Sequence, residues 1–182
     1  MDRPGRTDRA RGERVTHRAS VWPGAVAGLG AGLLAAGAMS LAHRGLTAVI
    51  GPPPEASPPG EDATVTVADL VVRALVARPL GEAAKPWAGT LVHYAFGACV
   101  GALYGGAAER VPRVTAALGL PFGVAVWLGA HVVTVPALGL APPPTRRPLA
   151  AEASELVLHL VYGGVTEVLR RAGRRRPRRR AA

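Results

Sequence analysis

Five ionisable side chains of this sequence stand among apolar neighbours: His93, His131, Glu152, Glu155 and His159. Neutral imidazoles beside carboxylates can hold a transition metal such as Zn or Cu, with a Glu binding it or orienting a ring. The same groups can pass protons, because histidine is the side chain whose charge changes near neutral pH. They can also do no more than join helices, each ring bonding a backbone carbonyl or the hydroxyl of Tyr94, Tyr104 or Tyr162. These readings stay open on the residues alone, and no cofactor is assigned.

The elements that must position these residues follow from three stretches without Asp, Glu, Lys or Arg: 19–43, 86–108 and 114–145. A helix rises about 1.5 Å per residue, so roughly 20 apolar residues cross the ~30 Å hydrocarbon core of a bilayer. Lipid offers the backbone no hydrogen-bond partner, and alternating strand patterns are absent, so the segments must be helices. The expected fold class is all-α, a polytopic helical membrane bundle.

Charge placement argues for a fourth helix over Leu149–Leu169, although that segment carries Glu152, Glu155 and Glu167. The formal net charge of +10 suggests a nucleic-acid binder, but 14 of the 22 Lys and Arg residues lie at or before Arg18 or from Arg170 onward. Three spans would put one Arg-rich tail outside, against the positive-inside tendency; four put both tails in the cytoplasm. Sixteen basic residues then face inward and six outward. The alternative is a carboxyl-terminal amphipathic helix lying on the membrane surface. The predicted organisation is a basic cytoplasmic tail 1–18, a membrane domain 19–171 and a second basic tail 172–182. Its helices fall at about 21–43, 86–108, 114–138 and 149–170, with both termini cytoplasmic.

In that frame His93 lies about 6 Å and His131 about 7 Å to the outer side of their helix midpoints, and His159 within about 3 Å of its own. Glu155 stands one turn further out on the same face, with Glu152 beyond it. Three imidazoles would then form one layer in the outer half of the membrane, where ionisable groups are costly and are by default a candidate site. His43 borders the same side.

The connections differ in kind. Glu109–Arg113 is a tight cytoplasmic turn, so the second and third helices must be antiparallel neighbours. The external loop 44–85 opens with Gly51-Pro52-Pro53-Pro54 and Pro58-Pro59-Gly60, a spacer of polyproline type. Its second half, Asp62–Val76, has helical spacing and an Asp62 or Thr64 cap, and is expected on the outer membrane surface. Ala141-Pro142-Pro143-Pro144 ends the third helix. Glycines recur every four positions at Gly24, Gly28 and Gly32 and again at Gly97, Gly101 and Gly105, which lets neighbouring backbones approach where lipid supplies no hydrophobic drive.

Other signals are weaker. Ala36-Gly37-Ala38 could serve as a cleavage site after a basic leader, but the apolar run is longer than a usual signal core. Gly30-Ala31-Gly32-Leu33-Leu34-Ala35 matches a dinucleotide fingerprint without the strand and acidic partner that motif needs. Cys99, the single cysteine, sits among small residues and reads as packing.

An ordered set of polar residues inside the apolar chain resembles the YagU-like family of bacterial inner-membrane proteins. The matching residues are His93 with Tyr104, Ala108-Glu109 before Pro112, and His131 followed by Pro136, Gly139-Leu140 and Pro142-Pro143. Glu152-Ala153-Ser154-Glu155, His159-Leu160-Val161 and Glu167 before Arg170-Arg171 complete it. The first loop departs from the family pattern. The resemblance implies an inner-membrane location and carries no catalytic residues.

Two function classes follow: a small protein whose His/Glu cluster handles protons, ions or a metal, and a structural or accessory membrane protein whose polar residues only pack helices. An enzyme is not expected, since no Ser-His-Asp order, Cys-His pair or His-Glu-x-x-His motif occurs. The expected partners are the bilayer, anionic lipid headgroups at the Arg-rich tails and a second copy of the chain through the glycine faces. No nucleic acid is expected, because the tails lack aromatics for stacking.

Overall fold

The computed structural model describes residues 20–51 and 63–174, and the described residues contain helices and turns but no strand. The basic leader, the Pro52–Gly60 spacer, Asp62 and the last basic residues lie outside that range. Three segments are long and apolar enough to cross a membrane: Trp22–Ile50, Lys85–Arg110 and Pro112–Ala137. The first two are single helices, α1 (Trp22–Ile50) and α3 (Lys85–Arg110), with α2 (Ala63–Val76) between them in sequence. Helix α1 runs seven residues past His43, so His43 and Arg44 are helical.

The third segment is broken. Residues Pro112–Gly119 begin as 3-10 turns, then Ala117, Leu118 and Gly119 adopt left-handed backbone at φ 46°, 55° and 79°. Regular helix starts at Leu120, six residues beyond the expected start. It continues as α4 (Leu120–Val126), a π-helical stretch Trp127–Thr134 and α5 (Val135–Ala137). In the π stretch the Thr134 hydroxyl donates to the carbonyl five residues back, that of Gly129, at 2.7 Å. Gly139, at φ 69°, ends the segment ahead of the proline run. The last helix, α6 (Leu149–Arg174), has 26 residues.

The core is small and polar, while the surface is large and apolar. Buried apolar residues are chiefly alanines, and the largest fully buried side chains are Glu167 and Thr166. Leu34, Leu41, Trp87, Leu91 and Leu103 are all exposed. That inversion is what hydrocarbon solvent asks of a helix bundle, whose apolar side chains lose nothing by facing lipid.

Backbone proximity replaces side-chain packing at the two main seams. A Cβ added to Gly28 would run into the Gly101 carbonyl, one on Gly32 into that of Gly97, and one on Gly24 into that of Gly105. The paired numbers rise on one helix as they fall on the other, so α1 and α3 are antiparallel. The second seam joins the third segment to α6: a Cβ on Gly119 would lie 2.6 Å from the Gly163 carbonyl, and one on Gly163 would lie 2.7 Å from the Gly123 backbone nitrogen. Helix α6 also runs antiparallel along α1, with Gly173 near Ala27 at one end and Ala150 near Thr47 at the other.

Candidate functional site

At the His43 end of the bundle, the loop after the proline run carries Arg147 against the third segment and α6. The Arg147 Nη1 donates to His131 Nε2 at 2.6 Å and lies 2.9 Å from Glu152 Oε1. The other Glu152 oxygen, Oε2, is 3.4 Å from the same His131 nitrogen. Only 10% of the Glu152 side chain is exposed, and neither oxygen has a donor in hydrogen-bond alignment among the described residues. Charge neighbours without aligned hydrogen bonds are an unusual state for a buried carboxylate. The His159 ring lies 6.0 Å from that of His131, centre to centre, and its Nδ1 donates to the Glu155 carbonyl at 2.7 Å.

The expected single layer of three imidazoles divides. His131 and His159 are a pair between the third segment and α6, with Glu152 and Arg147 beside them. His93 belongs to the α1–α3 seam, where its Nε2 lies 3.3 Å from the Ala36 carbonyl and 3.5 Å from the Ser40 hydroxyl. Glu155 lines a cavity between α1 and α6. Antiparallel register explains the split: the glycine pairs put His93 opposite Ala36 on α1, and α1 is the neighbour its ring meets. No group of three His, Cys, Asp or Glu among the described residues is placed to hold a metal ion. The metal reading therefore lacks a donor set there.

A second polar cluster, which the sequence reading did not assemble, lies at the Arg110 end. Glu167 is fully buried and accepts from Tyr104 Oη at 2.9 Å, from Arg170 Nε at 2.7 Å and Nη2 at 3.0 Å, and from Arg171 Nε. Arg171 Nη2 continues to the Thr115 carbonyl at 3.0 Å, and Arg174 pairs with Glu109 at 2.8 Å. Phe122 stacks on the Tyr104 ring with centres 4.1 Å apart. The i, i+3 and i+4 spacing of Glu167, Arg170 and Arg171 is the one signal that pointed here. Both oxygens of Glu167 are satisfied, so this cluster has the character of a lock: complete networks rigidify, and incomplete ones call for another explanation.

A family model described as a protein of unknown function (DUF1440) matches residues 78–168. The chain belongs to that family. The DUF1440 stretch runs from before α3 nearly to the end of α6, so it contains Tyr104, His131, Arg147, Glu152, His159 and Glu167 but stops short of Arg170. Comparison with curated proteins and with solved structures returns no match.

Proposed function

We propose that this is a four-span protein of the cytoplasmic membrane, with both termini inside, whose Arg147–His131–Glu152 cluster exchanges protons with the outer face and whose role is not enzymatic. Helix α6 supports the fourth span by its inverted amphipathicity. Glu152, Glu167 and Arg170 point into the bundle while Leu149, Val157 and Val168 face outward. A helix lying on a membrane surface would turn the other way. The YagU-like resemblance fits the same assignment, since its matching residues from His93 to Glu167 fall within residues 78–168.

Two exposed tryptophans mark the depth of the cluster. Trp22 is 74% and Trp87 80% exposed, at the start of α1 and of α3. Extending the glycine register sets Trp87 level with Ala42, about 30 Å along α1 from Trp22 and equal to the hydrocarbon thickness. Tryptophan favours both interfaces. Thr47, Ala150 and Arg147 line one cavity, which supports a position of the cluster near the outer headgroup layer.

The observation that carries the proton reading is the shared Nε2 of His131. Arginine can only donate, so the nitrogen it meets at 2.6 Å is the acceptor of that bond. A proton arriving there ends that bond and leaves imidazolium charge 3.4 Å from Glu152 Oε2. Protonation thus exchanges one partner for the other. Full-length protein in liposomes with a trapped pH dye should show proton flux that His131→Gln abolishes; flux no greater than that of empty vesicles at every pH would refute the reading. The structural alternative draws on His93, whose ring links α3 to the Ala36 carbonyl and the Ser40 hydroxyl of α1. It predicts lost melting temperature in the histidine variants without any flux to lose.

A further inference from the structure

A cavity of about 150 Å³ opens between α1 and α6 at the His43 end, and its polar lining is His43, Thr47, Arg147, Ser154 and Glu155. We propose that it is a headgroup site for a phosphoethanolamine phospholipid, with the phosphate on Arg147 and His43 and the ammonium on Glu155. The volume is that of about five waters, the scale of one headgroup. Leu46 and Leu158 make the remaining wall apolar, as the glycerol end of a lipid requires. The tryptophan register puts Thr47 about 7 Å beyond the hydrocarbon edge, which is headgroup height.

Charge decides among lipids. Arg147 commits Nη1 to His131 and Glu152, and among the described residues its Nε and Nη2 have no partner. His43 and the Glu155 carboxylate likewise have no hydrogen-bond or ion-pair partner among the described residues. Ser154 spends its proton on the Ala150 carbonyl and keeps its lone pairs. Opposite charges facing one small cavity fit a zwitterion. An anionic headgroup leaves Glu155 without a counterion, and a choline headgroup has no N–H to donate to it.

The site rests on the membrane placement above and not on the proton reading. The test is native mass spectrometry of the full chain in detergent, titrated with phosphatidylethanolamine, phosphatidylglycerol and phosphatidylcholine of identical acyl chains. Phosphatidylethanolamine should be retained about tenfold more tightly than either, the size of a lost charge-assisted hydrogen bond. Glu155→Gln should erase that preference and leave phosphatidylglycerol binding no weaker. Equal or tighter phosphatidylglycerol binding by the wild type overturns the site, and that comparison needs no variant. A preference that survives Glu155→Gln overturns it as well. Soluble phosphoethanolamine displacing the lipid at equal concentration would put the ligand in solution and refute the lipid assignment. Lipid preference without flux sinks the proton reading alone, and flux without lipid preference sinks this site alone.

Discussion

Two buried glutamates on one helix mark opposite uses of a carboxylate. Glu167 is held by Tyr104, Arg170 and Arg171, and its removal leaves guanidinium charge without its counterion. Glu167→Ala should therefore cost about 3–5 kcal/mol of stability, read as a lower melting temperature in detergent. Tyr104→Phe removes one hydrogen bond to a charged acceptor and should cost about 1.5–3 kcal/mol. Glu152 behaves differently, since it has charge neighbours and no aligned donor. Glu152→Gln should change stability by less than Glu167→Ala while reducing proton flux, and equal thermal losses for the two would make Glu152 a packing residue. The sequence placed both glutamates in α6 but could not tell them apart. Their difference lies in partners far along the chain, Tyr104 for one and Arg147, carried in by an irregular loop, for the other.

At the scale of elements, the glycine seams carry the packing. Gly28→Leu should destabilise the α1–α3 pair by about 1–3 kcal/mol or more through overpacking, because the Gly101 carbonyl occupies the space a side chain needs. Gly30 has nothing within 4 Å of an added Cβ, so Gly30→Ala should be neutral or slightly stabilising in the same melting assay. The first seam was legible in the four-residue spacing, which is all a helix needs to align a face. The second was not. Gly119 ends a stretch, Thr115-Ala116-Ala117-Leu118-Gly119, that reads as helix, and Gly123 follows in α4; the left-handed turn there lies against Gly163 on α6. Helix α2 is tied differently, by Asp69, which accepts from Arg73 at 2.5 Å and from the Leu80 backbone N–H at 2.7 Å. The Arg73 guanidinium, and then the Leu80 amide, hold the Asp69 carboxyl below the usual carboxylate range. A depressed acid stabilises above its unfolded value and loses that contribution as pH falls through the folded one. Protection of the Leu80 amide in hydrogen exchange should thus persist down to about pH 4 and fade below it.

The whole molecule is a bundle turned inside out, and its sidedness is testable. Reporter fusions at Arg110 and after Arg171 should read cytoplasmic and one near Pro58 external; a carboxyl end reached by a membrane-impermeant reagent from outside intact cells would end the four-span model. Absence of charge over some twenty residues was enough to find three of the long segments, because the hydrocarbon core admits little else. The fourth came from the balance of arginines, and what the sequence left hidden was its inward-turned polar face. That face depends on partners outside α6, Tyr104 on α3 and Phe122 on α4, neither of which has a signature in the α6 sequence itself.

The left-handed turn at Ala117–Gly119 also orders the biogenesis of the chain. Helices α1 and α3 can close their glycine seam as soon as both leave the translocon, since each satisfies its own backbone. In the proposed four-span arrangement the third segment cannot, because non-helical residues are tolerated at membrane depth only where protein covers them, and the cover is α6, which is synthesised after it. Until α6 arrives, the newborn protein carries a half-formed hairpin with exposed peptide groups. A ribosome stalled, or a chain truncated, at Pro148 would hand membrane quality control a substrate that the finished protein never presents.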